Sequence, residues 1–291
     1  HQPRNYETLG IEPRYTQRFA WGGTTHDVTV GYRYIRERGD DNIYNEAVRT
    51  GALSGFTQFQ NSTDAHAGYI DDKIAVGKWR ITPGLRFEQV RSSRYEMGKK
   101  GPYEVANDKL LPSINLAYLL TEQLTLFSNY NTSFGVVQNS QLNTMSSANP
   151  LSPELARTME GGMRWKSAQA SAEATVFHIN FDNQIVSVQG TTPNVFRNIG
   201  RTQHDGVELA MDYAFAPDSP LKGWSVFANY TYTRALQKSG SNPGKDLPFY
   251  ARTTDTLGVR MQTGPWTLNL STTHQGSCLL YTSDAADEGL G

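Results

Sequence analysis

Along most of this chain, apolar residues recur at every second position. Val28, Val30, Tyr32 and Tyr34 alternate with Thr29, Gly31 and Arg33, and Leu85 and Phe87 alternate with Gly84, Arg86 and Glu88. Ile114, Leu116 and Tyr118 do the same against Ser113, Asn115 and Ala117. The longest example sets Val207, Leu209, Met211, Tyr213 and Phe215 against Glu208, Ala210, Asp212 and Ala214. Leu257, Val259 and Met261 repeat the pattern against Gly258, Arg260 and Gln262. A period of two sends successive side chains to opposite faces of a strand. About twelve such segments of roughly 10–18 residues can be laid out, against a usual strand length of about 5–6. Long alternating strands suit a bilayer crossed at a tilt, with one face to lipid and one to water.

The connections alternate in length. Short turns fall near 22–25, 76–78, 121–123, 166–168, 217–223 and 264–265, and longer polar segments near 38–62, 92–108, 134–154, 183–198 and 235–250. Short turns at one end and long loops at the other are the asymmetry of a membrane barrel, whereas a sandwich mixes its loop lengths. The five tryptophans follow the same division. Trp21, Trp79, Trp165, Trp224 and Trp266 each adjoin a short turn, and each shares strand parity with apolar residues: Phe19, Ile81 and Leu85, Met163, Val226, and Leu268 and Leu270, respectively. Indole has an apolar body and one N–H donor, so it is favoured where hydrocarbon meets water. The expected fold is therefore all-β: an antiparallel transmembrane β-barrel section of about twelve strands.

Composition agrees. The 291 residues are 37% hydrophobic with a net charge of −1, and mean hydropathy is −0.54. Apolar runs fall short of the roughly 20 residues a spanning helix requires, but a barrel wall is polar on average because only alternate residues meet lipid. The near-zero charge gives no reason to expect nucleic acid as a partner. Residues 1–276 read as one partial barrel domain. Residues 277–291, including Cys278 (the one cysteine of the chain), lose the alternation and the turn logic and read as a non-native tail resembling sequencing-adapter read-through. The chain opens at His1 with no signal segment, and is read as a mature form or a piece of a longer protein.

Ordered anchors carry a family resemblance. They include Ile11-Glu12-Pro13-Arg14-Tyr15, Gly31-Tyr32-Arg33-Tyr34, Ile81-Thr82-Pro83-Gly84-Leu85-Arg86-Phe87-Glu88 and Leu111-Pro112-Ser113. Asn149-Pro150, Pro153-Glu154-Leu155-Ala156-Arg157-Thr158-Met159-Glu160-Gly161-Gly162, Ile179-Asn180-Phe181-Asp182-Asn183-Gln184 and Arg201-Thr202-Gln203-His204-Asp205-Gly206-Val207-Glu208 follow in order. With these residues the chain resembles the TonB-dependent outer-membrane receptors, in particular the ferric-dicitrate branch. The resemblance implies a 22-stranded barrel plugged by an N-terminal domain and TonB-dependent uptake of a ferric chelate, ferric citrate or another siderophore. It implies as partners the TonB-ExbB-ExbD complex, acting through a region before His1, outer-membrane lipid, and the Fe(III)-siderophore as cargo rather than bound cofactor. It also implies long loops facing the cell exterior and short turns facing the periplasm.

Ligand selection belongs in the long loops. A ferric chelate presents carboxylate and carbonyl oxygens, which guanidinium and amide donors suit. The resemblance points to Gln189, after Asn183-Gln184, and to Arg49; Arg91 and Arg94 at the start of the next loop are further candidates. Each is weighed against a plain solvated loop residue. His204 and Glu208 share a polar face with Asp205 on the other, which favours a hydrogen-bond network over a site. His178, Asn180 and Asp182 read as the wet side of a wall whose lipid side is Phe177, Ile179 and Phe181. Arg38-Gly39-Asp40 and Asn131-Thr132-Ser133 are chance matches to short motifs. No catalytic or metal constellation appears, so an enzyme is not expected. Two alternatives stay open: a non-transporting barrel (adhesin or outer-membrane hydrolase), and a receptor for a non-iron ligand. A soluble propeller or sandwich would need packed apolar residues where Arg86, Glu88, Glu208 and Asp212 stand.

Overall fold

In a computed structural model the described residues are 3–47, 49–99, 101–142, 145, 150–188, 195–240 and 242–279. The strands are β1 (Arg4–Ile11), β2 (Arg14–Trp21), β3 (Thr24–Glu46), β4 (Leu53–Val76), β5 (Trp79–Glu96), β6 (Tyr103–Leu119), β7 (Leu124–Gly135), β8 (Glu154–Lys166) and β9 (Ala170–Asp182). They continue with β10 (Ile185–Val188), β11 (Val195–Asn198), β12 (Thr202–Ala214), β13 (Trp224–Gln237), β14 (Thr253–Thr263) and β15 (Trp266–Gln275); one helical turn, α1 (Asn139–Leu142), lies between β7 and β8. A single 13-stranded antiparallel sheet runs β1-β3-β4-β5-β6-β7-β8-β9-β12-β13-β14-β15, with β2 also on β3; β10 and β11 form a separate hairpin. β1 and β2 are one edge strand in two pieces: β1 pairs with Tyr34–Asp41 and β2 with Thr24–Gly31. The break falls at Glu12-Pro13, where proline has no N–H for the ladder, while its carbonyl still accepts from Tyr32 N at 3.1 Å. The wall is therefore twelve strands across, as the alternation implies.

Cross-strand register carries parity from strand to strand. Trp21 pairs with Thr24, Ile74 with Ile81, Trp79 with Tyr118 and Leu126 with Met163. Met163 pairs with Ala174, Ala174 with Leu209, Met211 with Ala228, Trp224 with Met261 and Thr263 with Trp266. All five tryptophans thus lie on one face, here termed outer, at the short-turn end. Trp21 and Trp266 are 74% and 73% exposed there, beside exposed Val30, Ile70, Leu85, Leu209, Met211 and Leu257. The inner face carries Arg80, Arg86, Glu88, Glu160, Arg164, Glu173, Glu208, Asp212 and Arg260. No described helix is long and apolar enough to cross a membrane, which leaves crossing by strands untouched.

Two expectations are corrected. The segments 38–62 and 92–108 are not long loops: β3 and β4 are 23 and 24 residues long and continue almost to their turn at 47–52. At ~3.3 Å per residue such strands far exceed the roughly 10 residues that span a bilayer. Alternation vanishes beyond the apolar belt because both faces turn polar: Arg36, Arg38 and Asp64 outside, Glu37, Asp41 and Asn61 inside. The second correction concerns β9. His178, Asn180 and Asp182 share the outer face with Trp165, while Phe177, Ile179 and Phe181 point inward.

Inward aromatics have a structural cause. Phe127, Phe177, Phe227 and Tyr69 each lie directly across the ladder from a glycine: Gly162, Gly206, Gly258 and Gly31. A Cβ at any of these glycines would run into the partner's ring. The ring fills the space above the bare backbone, and an inner arginine covers three of these rings. Arg164 lies 5.5 Å from the Phe127 centroid, Arg260 4.0 Å from Phe227, and Arg86 5.6 Å from Tyr69. Glycine, ring and guanidinium form a layered unit that keeps a polar lining rigid.

Candidate functional site

At the long-loop end of the inner face, β3, β4 and β5 bring together a buried polar centre. Arg94 donates to Asp41 Oδ2 at 3.0 Å and to Asn61 Oδ1 at 2.8 Å, and Asn61 Nδ2 donates to Asp41 Oδ2 at 3.0 Å. Tyr6 of β1 donates its hydroxyl to Asp41 Oδ1 at 2.9 Å. The Arg94 guanidinium lies over the Phe59 ring, 3.9 Å from its centroid. Arg94 is 4% exposed and Asn61 3%. Burial works against the Asp41 carboxylate, yet hydrogen bonds from Tyr6, Asn61 and Arg94 outweigh it and hold its pKa below the usual range. Arg94 Nε, Asn107 Nδ2 and Asn139 Oδ1 are buried without a protein partner among the described residues, so the centre keeps unused hydrogen-bonding capacity.

The loops after β7 and β9 fold inward over this centre. Val137 and Leu142 are fully buried and join Leu151 in a small core, with Tyr103 and Val105 of β6 on one side and Ile185 and Phe196 of the β10–β11 hairpin on the other. Asn139 Nδ2 donates to Thr63 Oγ1 at 3.3 Å, fixing α1 to the wall. Ser152 N donates to Asn198 Oδ1 at 2.8 Å, and Ile185 N to Glu154 Oε1 at 2.6 Å. These contacts tie the hairpin to the start of β8. A third loop, 238–252, reaches the same interior. The Tyr250 ring meets His204 edge-on at 4.9 Å, and Gln184 Nε2 donates to the Tyr250 hydroxyl at 3.3 Å. Thr202 donates to Gln184 Oε1 at 2.6 Å. Phe181 packs against the other side of His204 at 5.0 Å. Burial pushes the His204 imidazole pKa down, with Asp205 pulling the other way. The inward His204 and the outward Asp205, which bonds His178 Nδ1 at 2.5 Å and Gln203 Nε2 at 2.5 Å, belong to two separate networks.

The four sequence candidates are scattered. Gln189 lies outside the described residues. Arg49 is exposed in the β3–β4 turn. Arg91 is exposed on the outer face, paired across the ladder with Asp64, so it points away from the interior. Arg94 points inward but is already committed to Asp41, Asn61 and Phe59. The sequence reading misses Asp41, Asn61 and Tyr6; the inner parity of Asp41 and Asn61 follows by counting along their strands from Arg33 and Tyr69, whereas that of Tyr6 follows only from the register of β1 on β3. Tyr250, Gln184 and Asn139 carry no such signal, because loops have no period.

An interior wall with polar donors beneath interlocked loops can enclose a small, oxygen-rich solute. No group of metal-ligating side chains occurs among the described residues. Comparison with known proteins agrees. The family described as TonB dependent receptor-like, beta-barrel matches residues 2–289. The solved ferric citrate transporter FecA, in its unliganded form, is 37% identical with a TM-score of 0.80 over 94% of this chain and 42% of that one. The siderophore receptor PiuA of Acinetobacter baumannii superposes with a TM-score of 0.76 at 19% identity, over 94% of this chain and 46% of that one, and shows the fold. Among curated proteins, the ferric-pyoverdine 358 receptor of Pseudomonas putida is 24% identical over 82% of this chain and 31% of its own length. The chain thus spans less than half of each of these relatives. An outer face of exposed apolar residues ending in tryptophans, a polar inner face and a family match over nearly every residue agree: the chain belongs to the TonB-dependent receptor β-barrel family, whose members are outer-membrane transport receptors.

Proposed function

We propose that this wall belongs to an outer-membrane receptor that takes up a ferric chelate, ferric citrate or a siderophore, under the drive of TonB and its ExbB-ExbD partners. The likeness to the ferric citrate transporter, at 37% identity against 19% for the siderophore receptor PiuA, is the observation that carries this reading. In it, the long-loop end faces the cell exterior and the short-turn end, ringed by tryptophan, faces the periplasm. The Fe(III) chelate is cargo, and the chain acts as a transport receptor rather than an enzyme.

The geometry supports a division of labour. The centre of Asp41, Asn61 and Arg94 is self-paired and fixes the ends of β3, β4 and β5. Arg49, in the β3–β4 turn, and Gln189, which lies outside the described residues, are the residues proposed to meet the chelate. A guanidinium suits its carboxylates and an amide donates to its remaining oxygens. With the full-length receptor, Arg49→Ala or Gln189→Ala is expected to weaken ferric citrate binding about tenfold, the cost of a charge-assisted hydrogen bond. Calorimetric titration checks it; wild-type affinity in both variants removes these residues from the site.

A further inference from the structure

Beyond uptake, the long-loop end of β12 carries a histidine on which two of the inward-folded loops meet. His204 is 5% exposed. The Phe181 ring of β9 meets it edge-on from one side and the Tyr250 ring of loop 238–252 from the other, with centroids 5.0 and 4.9 Å away. Gln184 is the joint between that loop and the β10–β11 hairpin. Its backbone closes the base of the hairpin, donating to Gly200 O at 3.2 Å and accepting from Ile199 N at 2.8 Å. Its side chain donates to the Tyr250 hydroxyl at 3.3 Å and accepts from the Thr202 hydroxyl at 2.6 Å. Thr202 Oγ1 lies 3.5 Å from His204 Nε2, which completes a ring of four side chains drawn from β12, the hairpin base and the loop.

Every member of this ring is uncharged while the imidazole is neutral, and the elements packed around it offer no facing carboxylate. On the inner face β9 presents Ile179 and Phe181, and β13 presents Thr233, Ala235 and Gln237. The charged groups of those strands nearby, Asp182 and Arg234, lie on the outer face. In the loop, Asp246 and Arg252 pair with each other at 2.5 Å, and Lys238 and Lys245 are exposed. The hairpin's Arg197 and the neighbouring Arg201 are exposed as well. On β12 itself, Asp205 turns outward to His178, and Glu208 stands four residues down the strand. A proton taken up by His204 would therefore place a charge between two aromatic rings and a hydroxyl already committed to Gln184, which burial penalises. We propose that His204 is an acid-sensitive latch: neutral, it seats Tyr250 and Gln184 so that loop 238–252 and the β10–β11 hairpin hold each other inward; protonated, it releases both together and opens the interior at the long-loop end. Release hydrates the imidazolium, so opening carries a proton.

The bearing of the latch on uptake rests on the reading above, that solute enters at the long-loop end, but its test uses no chelate, so the two can fail separately. Spin labels are placed at Ser187→Cys in the hairpin and Lys245→Cys in the loop of the full-length receptor. Their separation is measured by double electron–electron resonance between pH 7.5 and pH 5. One short distance is expected at pH 7.5, with a longer one growing in as the pH falls. Linkage to one proton raises the open-to-closed ratio by up to about tenfold per pH unit below the free imidazole value of about 6.5. His204→Phe, which keeps a ring but cannot titrate, is expected to stay closed throughout; should it not fold, His204→Gln must likewise lose the acid response. Tyr250→Phe, which lacks the hydroxyl that Gln184 meets, is expected to be more open at both ends of the pH range. His178→Gln on the outer face is expected to respond as wild type. An unchanged distance distribution from pH 7.5 to pH 5 overturns the proposal. So does an acid response that survives in the folded His204 variant, a Tyr250→Phe variant as closed as wild type, or a response lost in His178→Gln.

Discussion

Arg94 shows how one side chain can be chemically suited to a ligand and yet be occupied. It is buried, bonded to Asp41 and Asn61 and stacked on Phe59. Replacing Arg94 by Met leaves the buried Asp41 carboxylate with only the largely exposed Arg4, 3.6 Å away, as its cation, which costs up to about 3 kcal/mol. The expected outcome is loss of amide-exchange protection in Phe59–Asn61 and at Tyr6, with the short-turn end unchanged; retained protection at Phe59–Asn61 would contradict the assignment. A double variant, Arg94→Met with Asp41→Asn, is expected to recover part of the loss, because no uncompensated charge remains. His204 gives a pH dependence. Its pKa is lowered in the folded state by burial, so its contribution is fully present above the unfolded value of about 6.5 and is lost as pH falls toward and through the folded value. Amide exchange around Tyr250, corrected for intrinsic rate, is expected to show more opening at pH 5 than at pH 7.5. His204→Phe is expected to remove that difference; an identical pH response in the variant would sink the idea. The pairing of Arg94 was legible in part, since inner parity follows from counting along β5. Its partner 53 residues away was not, because register between long strands is set by turns such as 47–52, whose geometry no alternation encodes.

At the scale of elements, glycine and aromatic partners set where the wall holds its shape. Phe177 lies over Gly206, which also approaches the Tyr232 carbonyl from the neighbouring strand. Adding one methyl in Gly206→Ala must displace the ring or the backbone, at a cost of about 1–3 kcal/mol. Urea unfolding of the reconstituted full-length receptor checks this; wild-type stability would show that the ring does not pack as described. These pairs explain why Phe177, Ile179 and Phe181 misled the sequence reading of β9. Hydrophobicity usually marks the lipid face, but here inward rings cover bare backbone, and the outward His178, Asn180 and Asp182 lie beyond the apolar belt. The belt itself was legible because the outer face there is mostly apolar: Val207, Leu209, Met211 and Tyr213 keep strict alternation along β12, whereas the outward His26–Asp72 pair on β3 and β4 interrupts it. Above it the two faces are both polar, so the upper halves of β3 and β4 read as loops.

At the scale of the whole molecule, two coordinates describe the wall: which face, and which end. The tryptophans fix both, since all five lie outward and at the short turns. Charge then divides by position, with paired ions lining the interior, such as Arg164–Glu173 at 2.7 Å and Arg260–Asp212 at 2.8 Å. At the opposite end, the described parts of the loops after β7, β9 and β13 pack inward against the wall. The proposed role of the wall is TonB-driven entry of a ferric chelate. The most direct measurement places the full-length receptor in cells deprived of other iron uptake, with ferric citrate or one siderophore at a time as the iron source, with and without TonB. Growth and iron accumulation on at least one ferric chelate are expected, and both are abolished when TonB is removed. Growth on none of the chelates, or uptake that persists without TonB, would contradict it.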